Sequence, residues 1–242
     1  MALVVDNVKL PRRTFDLHYS FRVPGESFVA IMGENGSGKS SLLHLISGFE
    51  TPVFGKIIFK DKPLHRLPPG ERPVTILFQD HNLFEHLTLW ENIALGLRGT
   101  LYLTLEEKSV IENLLEKFQI SHLAHKKPNE VSGGEQQRTA LARCVLRNKP
   151  LLLLDEPFNA IDPKKRYELF DLLRQVRSEY RLTTLIVTHS PQEALHLAPQ
   201  AIFLHQGQVL FSGPTAEVLS MDHPAIKAFK GGHGMSRLKQ AS

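Results

Sequence analysis

The sequence predicts an α/β fold whose core is a mostly parallel sheet covered by helices. Short apolar runs bounded by Gly, Pro or polar residues recur at 27–32, 74–78, 151–154, 184–187 and 201–204, as buried strands do. Helical patterns lie between several of them, and the first run passes through a glycine-rich turn straight into one.

In chain order, the stretch up to Val23 alternates apolar and polar residues weakly, and 55–61 has the form of a strand approaching a turn. Together they suggest a small antiparallel β subdomain beside the parallel core. The run 27–32 is the first buried strand and 40–46 its helix; 74–78 is the next strand. From Leu87 the pattern turns helical and holds no strand-like run, which predicts a helical subdomain over about 87–148, including helices at 106–118 and 134–146. A strand at 151–154, a helix at 164–180 and strands at 184–187 and 201–204 complete a single domain over 1–230. The glycine-rich residues 231–242 have little to bury and read as a flexible tail.

Composition narrows the function. Twenty-nine Lys and Arg against 25 Asp and Glu leave a net charge of +4, spread along the chain rather than blocked, so nucleic acid is not an expected partner. The one cysteine, Cys144, lies in an apolar helical pattern and reads as a buried thiol in a reducing compartment. Charges or prolines interrupt every apolar run well short of the ~18 residues a membrane span needs.

Gly33-Glu34-Asn35-Gly36-Ser37-Gly38-Lys39-Ser40 matches G-x-x-x-x-G-K-[ST], between a predicted strand and a helix that continues through Ser41. This context makes it the phosphate loop of a P-loop NTPase. The glycines let backbone N–H groups converge on phosphate oxygens, and the helix N-terminus adds its positive dipole end. Lys39 reaches the terminal phosphates, and Ser40 is placed to ligate Mg²⁺. Far along the chain, Leu151-Leu152-Leu153-Leu154 delivers Asp155 and Glu156 at a strand end. Parallel sheets bind ligands at the carboxyl ends of their strands, so both acids fall beside the loop. Asp155 suits Mg²⁺, and Glu156 suits a general base that orients the water attacking the γ-phosphate.

Ser132-Gly133-Gly134-Glu135 opens another helix as a capping box. Two successive glycines cost more than a plain cap needs and make sense where a second molecule approaches the backbone. One ATP does not need two cradles from one chain. The pair therefore suggests two chains sandwiching ATP, each giving its phosphate loop to one face and its Ser132 segment to the other.

These motifs, together with Gln79, Asn159-Ala160-Ile161-Asp162 and His189, resemble in order those of ABC-transporter ATPase subunits, over about 25–213. The resemblance implies that Gln79 senses Mg²⁺ and the membrane partner, that Asp162 helps build the dimer interface, and that His189 touches the γ-phosphate. It also implies ATP and Mg²⁺ as cofactors, a homodimer, a transmembrane permease gripped by the surface around 79–92, a periplasmic solute-binding protein, and a peripheral location on the cytoplasmic side of the inner membrane. The sequence departs from the family twice. Glu135 stands where the signature usually has Gln, and its carboxylate is expected to serve the cap and turn away from nucleotide. No aromatic residue stands at the usual adenine-stacking position, leaving Phe15 and Arg12 as candidates.

Residues 78–88, Arg72-Pro73-Val74 and Ala142-Arg143-Cys144 are similar to bacterial thiamine-importer ATPase subunits. Thiamine is thus the implied cargo, with iron(III), sulfate or polyamine as alternatives. A soluble ABC-type ATPase acting on DNA or ribosomes would call for a long heptad run or a duplicated motif, and the sequence has neither.

Overall fold

The computed structural model describes residues 1–12, 15–80, 82–97, 99–159 and 161–235. Strands β1 (Leu3–Leu10) and β2 (Leu17–Val23) form an antiparallel pair, and β3 (Phe28–Gly33) runs into α1 (Lys39–Ser47). Next come β4 (Phe54–Phe59), the short β5 (Lys62–Pro63) and β6 (Val74–Leu77). The helical segment holds α2 (Leu89–Ala94), α3 (Leu105–Lys117) and α4 (Gly133–Leu146). Then follow β7 (Leu151–Asp155), α5 (Pro163–Glu179), β8 (Thr183–Val187), α6 (Pro191–Leu197), β9 (Gln200–His205), β10 (Gln208–Pro214), α7 (Thr215–Ser220) and α8 (Pro224–Met235).

Among the described residues all ten strands lie in one sheet, ordered β5-β4-β1-β2-β10-β9-β3-β8-β7-β6. Strands β9, β3, β8, β7 and β6 are parallel neighbours, as the apolar runs predict. The antiparallel strands are not a separate sheet beside that core. The β9–β10 hairpin carries the ladder across to β2 through the pair Gln208↔His18, and the His18 N–H donates to the Gly207 carbonyl at 2.8 Å.

The parallel strands are buried on both faces. Phe28, Ala30 and Met32 of β3, with Leu152 and Leu154 of β7, point into a core shared with the later helices. Val29, Ile31, Leu151 and Leu153 point into a second core with α1 and the antiparallel strands. That two-sided burial is why these strands read as unbroken apolar runs. Cys144 lies on α4 in the first core, 5% exposed, with its thiol pushed up to about 11 by burial.

Thr88 and Thr104 start α2 and α3, each in a capping box with a glutamate at the third helical position. The far end of α1 is closed by Arg72, 2% exposed, which donates to the carbonyls of Leu45 (2.7 Å) and Ile46 (2.9 Å). Those are last-turn acceptors without intrahelical donors, at the negative end of the helix dipole. The tail expected from 231 begins as helix, since α8 continues to Met235 on a turn anchored by the buried Ala225, Ile226 and Phe229. Residues 236–242 lie outside the described residues, as do Arg13, Thr14, His81, Arg98 and Ala160.

Candidate nucleotide site

The phosphate loop bridges β3 and α1 and is shaped by positions that exclude a side chain. Gly33 has φ +147, and a Cβ there would stand 2.3 Å from the Leu204 carbonyl oxygen. Gly38, with φ +100, is the N-cap of α1, and its Cβ would meet the Tyr19 hydroxyl at 2.3 Å. That hydroxyl donates to the Gly38 carbonyl at 2.8 Å, so β2 props the loop from below. Between these glycines the Ser37 N–H donates to Glu34 O at 3.2 Å. Glu34 and Asn35 are exposed, and the Ser37 hydroxyl is buried without a partner.

Lys39 is 5% exposed and folds back to donate to the carbonyls of Gly33 (3.0 Å) and Glu34 (2.8 Å). Burial lowers its pKa, while Glu156, Asp155 and Glu34 push it back up. An ammonium stripped of water and held by neutral carbonyls is ready to exchange them for an anion. The next residue, Ser40, hydrogen-bonds Asp155 at the end of β7. Asp155 is 7% exposed; burial raises its pKa, the Ser40 bond lowers it, and Glu156 raises it. Its Oδ1 has no partner. Hydroxyl, carboxylate and orphaned buried oxygen together fit a Mg²⁺ ion, a hard cation that takes oxygen ligands. Among the described residues no group of three His, Cys, Asp or Glu could hold a metal, so such an ion would draw its remaining ligands from phosphate and water.

Glu156 follows with φ 49, a left-handed conformation uncommon outside glycine, held by its N–H donating to Val187 O at 3.1 Å. Its carboxylate is gripped on both sides, by His189 Nε2 on one oxygen and by the Asn159 amide on the other. The structure thus brings Lys39, Ser40, Asp155, Glu156 and His189 into one cluster. Gln79 lies two residues beyond β6, as Glu156 lies two beyond Leu154. Because Leu77 is paired with Leu154, both sit at the same end of the sheet. Gln79 is exposed there.

Ser132 is the N-cap of α4, and its N–H and hydroxyl donate to Glu135 Oε2 at 2.7 and 2.8 Å. The acid at the unusual position therefore serves the cap, as expected. A Cβ on Gly134 would meet nothing within 4 Å, so its backbone is open to approach. The hollow beside this turn is lined by Gln119, Arg138, Ile161 and Glu168, with no residue of the phosphate loop. Asp162 is exposed ahead of α5, and its carbonyl accepts from the Arg166 N–H at 3.2 Å.

The two adenine candidates differ in their surroundings. Phe15 packs on the second core, against Gly207, where an added Cβ would meet its ring at 2.7 Å. Arg12 is paired with Glu50 and lies 3.5 Å from the Ser41 hydroxyl, beside the start of α1. Motif reading misses several supports: Tyr19, Arg72, and the link in which Arg166 donates to Glu193 at 3.0 Å while Thr188 donates to the same carboxylate, tying α5, α6 and the His189 loop together. Only Glu193, three residues after Ser190 in a capping pattern, leaves a trace in the sequence.

A family model described as ABC transporter matches residues 17–159. The thiamine import ATP-binding protein ThiQ of Haemophilus influenzae is 44% identical over 207 residues, covering 86% of this chain and 96% of the relative. ThiQ of Brucella suis is 41% identical over 208 residues, covering 86% of each. Among solved structures, the dimeric post-hydrolysis state of the ATP-binding cassette MJ0796 bound to ADP and Pi aligns with a TM-score of 0.77 at 28% identity, covering 88% of this chain and 98% of that one.

Proposed function

The chain belongs to the ABC transporter family as an ATP-binding subunit that hydrolyses ATP to drive transport, and on that premise we propose that it powers thiamine import at the cytoplasmic face of a bacterial inner membrane. The observation that carries the hydrolytic part is the acid pair at the end of β7, Asp155 bonded to Ser40 and Glu156 gripped by His189 and Asn159. The cargo rests on relatives of 41–46% identity that are named for thiamine import.

In this reading Lys39 and the loop N–H groups hold the β- and γ-phosphates of ATP. Ser40 and Asp155, with Gln79 nearby, would hold Mg²⁺, which would supply charge neutralisation to those phosphates. Glu156 orients the attacking water and takes its proton, and His189 steadies that carboxylate while facing the γ-phosphate. Ser132, Gly133, Gly134 and Glu135 of a second copy close the other face, giving a head-to-tail homodimer. Dimeric cassettes among similar structures, and a hollow beside the Ser132 turn that no residue of the phosphate loop lines, support this. Arg12 is the better adenine platform, because Phe15 is committed to packing against Gly207.

No helix among the described residues is long and apolar enough to cross a membrane, and a transmembrane permease is the partner this reading supplies. Its docking place is a cavity of about 550 Å³ walled by Phe49, Phe78, Phe84, Leu95, Arg143 and Arg147. Phe78 directly precedes Gln79, so a segment seated there would press on the residue assigned to sense Mg²⁺. A periplasmic solute-binding protein would deliver cargo to the permease. The test is uptake of labelled thiamine in a strain lacking this gene and any backup system. Loss of uptake, restored by the gene but not by its Lys39→Ala form, is expected. Normal thiamine uptake with loss of iron(III), sulfate or polyamine uptake would overturn the cargo and leave the ATPase intact.

A further inference from the structure

The phosphate loop contains an acid of its own. Glu34 lies between Gly33 and Asn35, its carbonyl accepts from Lys39 at 2.8 Å, and its carboxylate contributes to the field on the Lys39 ammonium. A carboxylate tethered this close is an intramolecular competitor for the cation that must meet the phosphates, and it repels the incoming anion. Something has to hold it away.

The turn between β9 and β10 is placed to do so. Gln206 and Gly207 both have positive φ, 46° and 78°, as a tight two-residue hairpin requires. The turn is fastened to the loop at both ends: the Leu204 carbonyl fills the space a Gly33 side chain would need, and the Gly207 N–H donates to Ser37 O at 3.2 Å. Between these fastenings stands His205, its Nδ1 4.0 Å from Glu34 Oε2. On its other side the His205 ring meets His223, just before α8, edge-on with centroids 5.8 Å apart. The His223 Nδ1 accepts from the Ala225 N–H at 3.2 Å, which fixes that ring in turn. His205 is thus held between α8 and the loop acid, and the motif reading gives it no role.

We propose that His205 is a positioning residue for the nucleotide site: it holds the Glu34 carboxylate outward and leaves Lys39 free for phosphate. The proposal rests on the ATP-binding reading above. The experiment is a cycle on the full chain, with unsubstituted protein, His205→Gln, Glu34→Gln and the double variant, measuring the ATP dissociation constant and, in the permease complex, KM and kcat. His205→Gln should weaken ATP binding about two- to fivefold, the range for a partly exposed pair, and raise KM with kcat unchanged. In the Glu34→Gln background the same substitution should have no effect, because no carboxylate remains to be held. An equal loss in both backgrounds would show a merely structural role for His205, and no loss in either would show no role; each overturns the proposal. Failure of the unsubstituted chain to bind ATP would overturn the nucleotide reading itself, and the proposal with it.

Discussion

Replacing Gly38 with Ala places a methyl group at the point where β2 props the phosphate loop. At φ +100 an alanine pays the left-handed penalty of about 1–2 kcal/mol. The methyl would also stand 2.3 Å from the Tyr19 hydroxyl, so that ring must move and its 2.8 Å bond to the Gly38 carbonyl is lost, costing about 1 kcal/mol more. The sum is about 2–3 kcal/mol, which for a domain of this size lowers Tm by about 5–10 °C. Tyr19→Phe alone removes only the bond. The Gly38 carbonyl keeps a donor in the Leu42 N–H at 2.9 Å, so that cost stays near 1 kcal/mol. Burial, and then the charge of Glu50, raise the Tyr19 phenol far above its ordinary range, so it stays a neutral donor throughout the assay. In the double variant the hydroxyl that clashes is absent and the lost bond is counted once. Its Tm should therefore lie close to that of Gly38→Ala, non-additive by about 1 kcal/mol. Thermal unfolding of the four proteins measures this. Strict additivity, or a Gly38→Ala protein that melts like the unsubstituted one, would refute the account of the prop.

Glu156→Gln should bind ATP, lose about 10²–10⁴-fold in turnover and accumulate as an ATP-bound dimer by light scattering; a monomer with unchanged turnover would refute the assigned role. Asp155→Asn should raise the Tm of the nucleotide-free protein at neutral pH while abolishing ATP hydrolysis. Burial raises the Asp155 carboxyl, so the folded state binds its proton to higher pH than the unfolded chain does, and stability falls as pH rises through that window. The penalty is complete only above the raised folded-state value and absent below the ordinary carboxylate range, so the gain in Tm should vanish in acid. A gain that persists there would point to packing instead.

The loop, the acid pair and the Ser132 turn were legible because each is a run of adjacent residues at a strand end or helix start, where local chemistry dictates backbone shape. The supports were not legible, because they join residues remote in sequence. Tyr19 reaches Gly38 from another strand, Arg72 reaches back to Leu45 and Ile46, and Arg166 reaches forward to Glu193. No periodicity encodes such pairs. The ladder from β9 through β10 to β2 was hidden for a related reason. Gln208–Pro214 ends in Ser-Gly-Pro and is half exposed, so neither an apolar run nor clean alternation marks it as a strand. The helix through Met235 also ran against its glycines, since propensity is a weak prior once a preceding turn is buried.

Cys144, sunk in the first core, has a practical consequence. It is the chain's one cysteine, and its thiol is both shielded and hard to ionise, so alkylating reagents at neutral pH should find almost no thiolate on the folded protein. A cysteine introduced at an exposed position such as Tyr102, 92% exposed, would be the single reactive handle on each copy without any prior substitution. Spectroscopic labels placed there would report the separation of two copies as nucleotide is bound and spent, in a protein otherwise unaltered.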